Sequence, residues 1–357
     1  MMFKMQALLS AVWGVGLILL ALSGAGVVSA RHKWHAGPTL YVFGDSFVDN
    51  GNMRRASFVD EMSRQWHYPY GLSYVNNDES GAQPDPTPTG RFSDFMVQPD
   101  FIAQMMGLPK SPPAYFGTQG QFCDTSGMNF GFGPSGVNHI TIFMNVREQV
   151  DTFKGMIKSG VISKDHVTNS VALIAISGND YKTFGLHRSS ADLTAFTINM
   201  TTEIAVNVAR LQNLGVKKVL VSNLHPLGCT PTETKPNNYD ACDKVRNLKT
   251  KLHNANLQHN LGSKKGVLIL DMYTAFESII GDDSSDGRFK KTREPCCVND
   301  YPKGYCGQLD SFAQPMYTVC NDPSEHFFWD DMHPTHAGWE AVTAKLEGHI
   351  KKFLGVA

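Results

Sequence analysis

The sequence has almost no net charge, no internal repeat and only one long apolar run. Its 357 residues include 32 Lys and Arg against 33 Asp and Glu, a formal net charge of -1 at pH 7. The basic residues are spread along the chain, so the basic patch with which proteins bind nucleic acid is missing. The Pro or Gly repeats of a structural glycoprotein are missing too. These absences exclude both classes and leave a globular chain able to build a full core.

The one long apolar run lies at the amino terminus. Lys4 is the only charged residue among the first thirty, and apolar residues extend from about Ala7 to Leu22 before the small residues Val28-Ser29-Ala30. This pattern predicts a secretory signal peptide over residues 1–30, cleaved after Ala30. A retained membrane anchor is the alternative, but the run is near the short end of the roughly 20 residues that a span needs. We therefore expect a secreted protein without a stable membrane anchor, in which residues 31–357 form a single domain.

The cysteines also lack the spacing of a metal site, because no two of them form a Cys-x-x-Cys pair. The seven are Cys123, Cys229, Cys242, Cys296, Cys297, Cys306 and Cys320. In an oxidising compartment we expect the four between positions 296 and 320 to form disulfides that staple this segment. An odd count leaves at least one thiol free or paired outside the chain. A zinc site is the alternative that the spacing disfavours. One glycosylation sequon, Asn199-Met200-Thr201, fits the secretory route.

Short apolar segments alternate with helical periodicities along the chain. Strands are predicted at Thr39 to Phe43, Met128 to Phe130, Val171 to Ile176, Lys218 to Val221 and Gly266 to Leu270. Apolar residues recur at helical spacing in four stretches, 146–157, 204–211, 245–252 and 342–353. The alternation predicts an α/β protein, a three-layer α/β/α sandwich around a doubly wound parallel sheet.

Two segments at opposite ends of the chain hold the groups of an acyl-transfer site. Ser46 follows the first predicted strand in Gly44-Asp45-Ser46, and Asp330 and His333 stand three positions apart near the carboxyl terminus. A serine hydroxyl becomes a good nucleophile when an imidazole takes its proton and a carboxylate fixes the imidazole tautomer. Taken singly, Ser46 is also compatible with a helix cap, His333 with a structural histidine and the pair with a weak metal site.

Two further segments follow predicted strands. Asn129 to Gly136 runs out of the second strand, and Ser177-Gly178-Asn179-Asp180 follows the third. Ligands of open parallel sheets bind beyond the carboxyl ends of the strands, so both segments and Ser46 are expected at one edge. Alone, each of them is only a turn signal.

Together, these four blocks resemble the GDSL family of the SGNH hydrolases, and in particular the secreted plant GDSL esterase/lipases, over nearly all of residues 31–357. The resemblance implies a flavodoxin-like fold without a cofactor or metal. It makes Ser46 the nucleophile and Asp330 and His333 the Asp-x-x-His pair. It also assigns the oxyanion hole to the backbone N–H groups of Ser46 and Gly136 and the side-chain amide of Asn179. The spacing selects Asp330 over its neighbour Asp331.

Some positions depart from the family pattern. Phe47 stands where the family name has Leu, and Pro134, which has no N–H, lies in a loop where relatives keep small residues. Asp45 and Asp49 we interpret as structural residues that hold the turn beneath the nucleophile. The Gly-x-Ser-x-Gly elbow is absent, which argues against the α/β-hydrolase fold.

The resemblance implies a secreted carboxylic ester hydrolase, extracellular or in the cell wall, that works through an acyl-enzyme. Plant members act on lipids, acylated wall polymers or small acylated metabolites, so an acyl ester is the expected partner. Some members transfer the acyl group to an alcohol, which makes an acyltransferase one alternative. A catalytically silent binding protein on the same fold is another, although Ser46, Asn179, Asp330 and His333 are all present. The oligomeric state stays open.

Overall fold

A central sheet of five parallel strands organises the structure, a computed structural model that describes residues 38–74, 87–184, 189–300 and 304–356. The strands are β1 Thr39–Gly44, β2 Gly127–Asn129, β3 Ser170–Ala175, β4 Lys218–Ser222 and β5 Val267–Leu270, in the order β2-β1-β3-β4-β5. The five predicted strands are confirmed to within one residue at either end. A small antiparallel sheet of β6 Cys297–Asn299 and β7 Tyr317–Val319 was not predicted.

Helices follow most of the strands. They are α1 Gln98–Met105, α2 Tyr115–Thr118, α3 Val146–Lys158, α4 Lys164–Thr168, α5 Asn179–Thr183, α6 Ser190–Asn213, α7 Pro231–Thr234, α8 Lys244–Leu261, α9 Met272–Ile280 and α10 His336–Leu354. Capping residues start several of them: Asn145 accepts a hydrogen bond from the backbone N–H of Glu148 at 3.0 Å, and Thr335 accepts one from Gly338 at 2.9 Å. All four predicted helical stretches are confirmed as helices.

The sheet is covered on both faces, because alternate residues of each strand enter different cores. Leu40 and Val42 of β1 belong to a core shared with α1, α9 and α10. Tyr41 and Phe43, the intervening residues, belong to a core shared with α3, α6 and α8. Successive side chains of a strand point to opposite faces, so an uninterrupted apolar strand needs a helix layer on each side. The predicted three-layer α/β/α sandwich is confirmed.

The structure confirms α8 as a helix, but two apolar residues of the periodic stretch 245–252 lie on its exposed side. Val245 and Leu248, two of the residues that defined its periodicity, are 65% and 68% exposed. The buried face instead carries His253 and Leu257. This face packs on α6 with a mixture of contacts, since Leu257 and Leu261 enter the core and Asn256 donates a hydrogen bond to Thr197. An apolar period locates a buried face only where apolar side chains form the contact.

Three disulfides reinforce the loops. Cys296–Cys320 and Cys297–Cys306 confirm that the late cysteines staple this segment, and Cys229–Cys242 is a further pair that was not predicted. Cys123 is the free thiol that the odd count required. The late disulfides belong to a third apolar cluster, with Met53, Tyr70, Phe92 and Trp329. This cluster draws together segments far apart in the chain.

Two predictions concern the amino-terminal segment and the membrane. Residues 1–30, the predicted signal peptide, lie outside the described residues. Within the described ranges, no helix combines the length and the apolar character needed to cross a membrane. Asn199 of the sequon lies exposed on α6.

Candidate active site

The turn after β1 presents Ser46 at the carboxyl edge of the sheet. Gly44 has φ +147°, and a Cβ atom there would lie 1.7 Å from the Ala175 carbonyl oxygen, so only glycine lets β1 approach β3 so closely. The Asp45 carboxylate then accepts hydrogen bonds from Phe47 N–H at 3.1 Å and from Ser177 N–H at 2.5 Å. The first bond closes the turn and the second ties it to the end of β3.

A second carboxylate joins this turn to the loop after β2. Asp49 Oδ1 accepts from the backbone N–H groups of Gly51 and Asn52, and its Oδ2 accepts from Gly133 N–H at 2.8 Å. Burial raises the pKa of Asp49 to about 7, while these donors oppose the shift by stabilising the anion. The contacts of Asp49 are with backbone, which agrees with the structural interpretation of this residue.

Ser46, His333 and Asp330 form one hydrogen-bonded row. His333 Nε2 lies 2.8 Å from Ser46 Oγ, and His333 Nδ1 lies 2.8 Å from both oxygens of Asp330. An ionised carboxylate only accepts, so the Nδ1 proton is donated to Asp330 and Nε2 accepts from the serine hydroxyl. All three residues are at most 5% exposed. The row is therefore arranged for proton transfer from Ser46 to His333.

The spacing of the Asp-x-x-His pair has a local cause. Asp330 Oδ1 accepts hydrogen bonds from the backbone N–H groups of Met332 and His333, at 2.9 and 2.8 Å. The carboxylate closes its own turn and brings the imidazole beside it. Although burial alone would raise it, His333 and Arg64 hold the pKa of Asp330 well below its usual range. Asp331 is exposed, and its carbonyl oxygen accepts from Thr232 N–H on the other side of the segment.

The predicted oxyanion donors lie in different places. A cavity of about 130 Å³ holds Ser46, His333 and Asn179, together with Gly133 and Pro134. The Asn179 amide donates to the Ser135 carbonyl at 2.9 Å and lies 3.3 Å from Asp45 Oδ2. Ser46 N–H donates to the Gly133 carbonyl at 3.0 Å. Asn179 therefore shares the cavity with Ser46.

Gly136 is not among the residues that line this cavity in the described part of the chain. A Cβ atom on Gly136 would lie 2.6 Å from Asp180 Oδ2. The Asp180 carboxylate accepts hydrogen bonds from Val137 N–H and Asn138 N–H, at 3.0 and 2.9 Å. Glycine is needed here because any side chain would collide with that carboxylate, a reason separate from catalysis.

Four residues surround the row; the sequence marked Phe47 only as a departure from the family name, and it did not mark Phe92, Tyr70 or Arg64. Phe92 stacks on the His333 ring at a centroid distance of 5.1 Å, and Phe47 contacts its edge at 6.0 Å. Tyr70 and Arg64 approach Asp330 from the segment between β1 and α1. No local sequence pattern marks Phe92, Tyr70 or Arg64, because their places in the site come from contacts with residues distant in the chain.

The chain is similar to known GDSL proteins over most of its length. The family of GDSL-like lipases and acylhydrolases matches residues 40–346. GDSL esterase/lipase At5g03610 of Arabidopsis thaliana is 36% identical over 331 residues, which are 88% of this chain and 88% of that protein. GDSL esterase/lipase At3g09930 of the same plant is 34% identical, over 87% of this chain and 88% of that protein.

A lipase from a goat rumen metagenome has a TM-score of 0.38 and 11% identity, covering 87% of this chain and 96% of that chain. That likeness is too loose to bear on activity. The family match spans nearly the whole described sheet, and the two plant relatives are similar along most of their own lengths. The chain belongs to the GDSL-like lipase/acylhydrolase family, among the plant-type GDSL esterase/lipases, and is a carboxylic ester hydrolase.

Proposed function

We propose that the chain cleaves carboxylic esters through a covalent acyl-enzyme on Ser46. The observation that carries the proposal is the row in which Ser46 Oγ, His333 and Asp330 are joined at 2.8 Å each. His333 Nε2 removes the hydroxyl proton as Ser46 Oγ attacks the ester carbonyl carbon. The tetrahedral intermediate then expels the alcohol, which takes the proton from His333. Water repeats the sequence on the acyl-enzyme and releases the acid.

Asn179 is the predicted oxyanion donor that the cavity favours. It lines the same cavity as Ser46, and its amide can turn from the Ser135 carbonyl towards a developing oxyanion. The backbone N–H groups of Ser46 and Gly136 stay predicted donors, and the first must leave the Gly133 carbonyl to act. Catalytic hydrogen bonds commonly tighten only when the substrate is bound.

The test measures ester hydrolysis and covalent labelling on the purified secreted protein. Wild type should release p-nitrophenol from p-nitrophenyl acetate, and a fluorophosphonate probe should add its mass to the peptide that contains Ser46. Ser46→Ala should abolish both signals, while Ser159→Ala, which removes an exposed serine, should keep both. A folded Ser46→Ala variant with its esterase rate intact would place the nucleophile elsewhere.

The same assay separates the two alternatives. An acyltransferase would form a new ester when a small alcohol is added, and chromatography of the products would reveal it. A silent binding protein would bind an ester without turnover or labelling. Hydrolysis with acid as the main product supports the proposal.

We further propose that residues 31–357 are secreted as a single domain. The three disulfides and the exposed Asn199 support this route, because disulfides persist in oxidising compartments. Mass spectrometry of the mature protein should find Arg31 at the amino terminus and a glycan on Asn199. Retention of Met1 in secreted material would contradict it.

A further inference from the structure

Hydrogen bonds continue from the triad carboxylate into the segment between β1 and α1. The Tyr70 hydroxyl donates to Asp330 Oδ2 at 2.7 Å, and Arg64 Nε donates to the Tyr70 oxygen at 2.9 Å. Arg64 Nη2 lies 4.0 Å from the same Oδ2. Tyr70 is fully buried, and the Arg64 side chain is 13% exposed. These bonds are therefore made where water competes little, and a low local dielectric strengthens them.

The protonation states fix the direction of these bonds. Burial and the nearby Asp330 carboxylate hold the pKa of Tyr70 well above its usual range, although Arg64 opposes them. Tyr70 thus keeps its proton and remains a donor to Asp330. Asp330, whose pKa is held low, remains an anion that accepts from Tyr70 on one side and His333 on the other. Hydrogen bonds therefore run in one direction, from Arg64 Nε to the Tyr70 oxygen and from the Tyr70 hydroxyl to Asp330.

Arg64 reaches the histidine by a second route. Its guanidinium carbon lies 5.3 Å from the centre of the Phe92 ring, and this ring stacks on the His333 imidazole at 5.1 Å with an interplanar angle of 26°. Arg64 also donates to the Glu61 carbonyl at 2.8 Å, which anchors it to its own segment. One arginine therefore supports both the carboxylate and the stacked face of the imidazole.

We propose that Tyr70 and Arg64 are positioning residues of the active site. They hold the Asp330 carboxylate against His333 Nδ1 and withdraw negative charge from it through the Tyr70 hydroxyl and the Arg64 guanidinium. The inference rests on the function proposed above and names residues beyond the triad and the oxyanion hole. It explains why a buried arginine and a buried tyrosine occur beside a carboxylate that already accepts three other donors.

Other titratable groups lie near the imidazole. Glu61 and Lys182 line the cavity that holds His333. His225 lies behind Phe47, at a ring distance of 4.9 Å, and burial and the neighbouring His333 and Lys182 lower its pKa to about 3. His225 is therefore neutral over the working range of an esterase. Tyr70→Phe leaves all of these groups in place, so its effect isolates the hydroxyl.

The first test compares Tyr70→Phe with wild type in steady-state kinetics across pH. Because the change removes a donor to a charged group, kcat should fall about 10-fold with little change in KM. The acid limb of the pH profile should move to higher pH, since Asp330 then stabilises the protonated imidazole more strongly. Tyr68→Phe is the matched control: Tyr68 is 54% exposed in the same segment and should behave as wild type.

Two variants of Arg64 test its positive charge separately from its hydrogen bond to Tyr70. Arg64→Gln should move the acid limb in the same direction as Tyr70→Phe, while Arg64→Lys, which keeps the charge, should move it less. The double variant of Tyr70→Phe and Arg64→Gln should lose less activity than the two single losses combined, because both residues act through Asp330. If Tyr70→Phe does not fold, the comparison of Arg64→Gln and Arg64→Lys with wild type decides the proposal: an acid limb unmoved in Arg64→Gln would overturn it.

A readout without turnover separates this proposal from the function itself. In the NMR titration of the ring protons, the midpoint for His333 should lie at higher pH in Tyr70→Phe than in wild type or Tyr68→Phe. A shifted midpoint in a protein that cleaves no ester would overturn the function and leave the positioning role standing. A lower melting temperature with kcat, acid limb and midpoint unchanged would show that Tyr70 and Arg64 are only structural.

Discussion

At the scale of single residues, Asp330 and Asp331 are chemically identical neighbours in different surroundings. Asp330 is 1% exposed and bonded to His333, whereas Asp331 is exposed and directed towards Thr232. Asp330→Asn should lower kcat by orders of magnitude, because an amide favours the wrong imidazole tautomer. Asp331→Asn should cost little. Rates of both variants on one ester check the ranking, and the reverse order would refute the assignment.

Asn179 allows a second residue-scale prediction. If its amide donates to the oxyanion, Asn179→Ala should lower kcat by roughly 10²- to 10³-fold with little change in KM. Pro134→Ala is the control in the same cavity, since proline has no N–H to donate, and it should be close to neutral. Kinetics and melting curves decide the matter. A lower melting temperature with kcat unchanged for Asn179→Ala would show that the amide only caps its turn.

At the scale of elements, the small sheet of β6 and β7 supports the segment that carries Asp330. Cys297 N–H of β6 donates to the Trp329 carbonyl at 2.7 Å, one residue before Asp330, and Cys297 is bonded to Cys306. The disulfide and the pairing of β6 with β7 thus support the backbone next to the Asp330 carboxylate. We therefore expect the geometry of the row to depend on this sheet as well as on the turn at Asp330.

Removal of that disulfide should therefore affect both stability and rate. The double variant Cys297→Ser, Cys306→Ser should lower the free energy of unfolding by about 2–3 kcal/mol and reduce kcat below the melting transition. Cys123→Ser, which removes the free thiol, should change neither much. Denaturant unfolding and initial rates measure the two effects. A folded double variant with the kcat of wild type would show that the turn at Asp330 keeps its geometry without the Cys297–Cys306 disulfide.

At the scale of the whole molecule, buried histidines make the fold sensitive to acid. Burial lowers the pKa of His253 to about 3, and its Nδ1 lies 2.9 Å from the Tyr181 hydroxyl. The ordinary value is about 6.5, so between pH 6.5 and 3 the unfolded chain binds more protons than the folded one. The free energy of unfolding should then fall as the pH falls, by about 1.4 kcal/mol per pH unit for this histidine.

His253→Gln should flatten that dependence. Its free energy of unfolding should fall less steeply than that of wild type between pH 6.5 and 4.5, measured by denaturant unfolding at several pH values. His259→Gln, which removes an exposed histidine from the same helix, is the matched control and should follow wild type. Equal slopes for wild type and His253→Gln would mean that His253 accepts a proton without unfolding the chain.

The sequence by itself determined the strands of the central sheet, the alternating architecture, the stapled cysteine segment and the choice of Ser46, His333 and Asp330, which form the hydrogen-bonded row. Each of these depends on local patterns: apolar runs, turn residues after strands, and an Asp-x-x-His spacing in which Asp330 closes its own turn on His333. Such patterns involve residues that are close together in the sequence, which is why they could be predicted.

Only the tertiary structure decided the rest. Tyr70 lies 260 positions from Asp330, and no periodicity encodes that contact. The buried face of α8 combines Leu257 and Leu261 with polar contacts to α6, and an apolar pattern does not report the polar contacts. Gly136 lies against Asp180 for steric reasons that depend on how two loops meet. Contacts between distant segments arise when the layers pack. The fold therefore decides which residues surround Ser46, whereas the local sequence patterns indicated Ser46, Asp330 and His333 themselves.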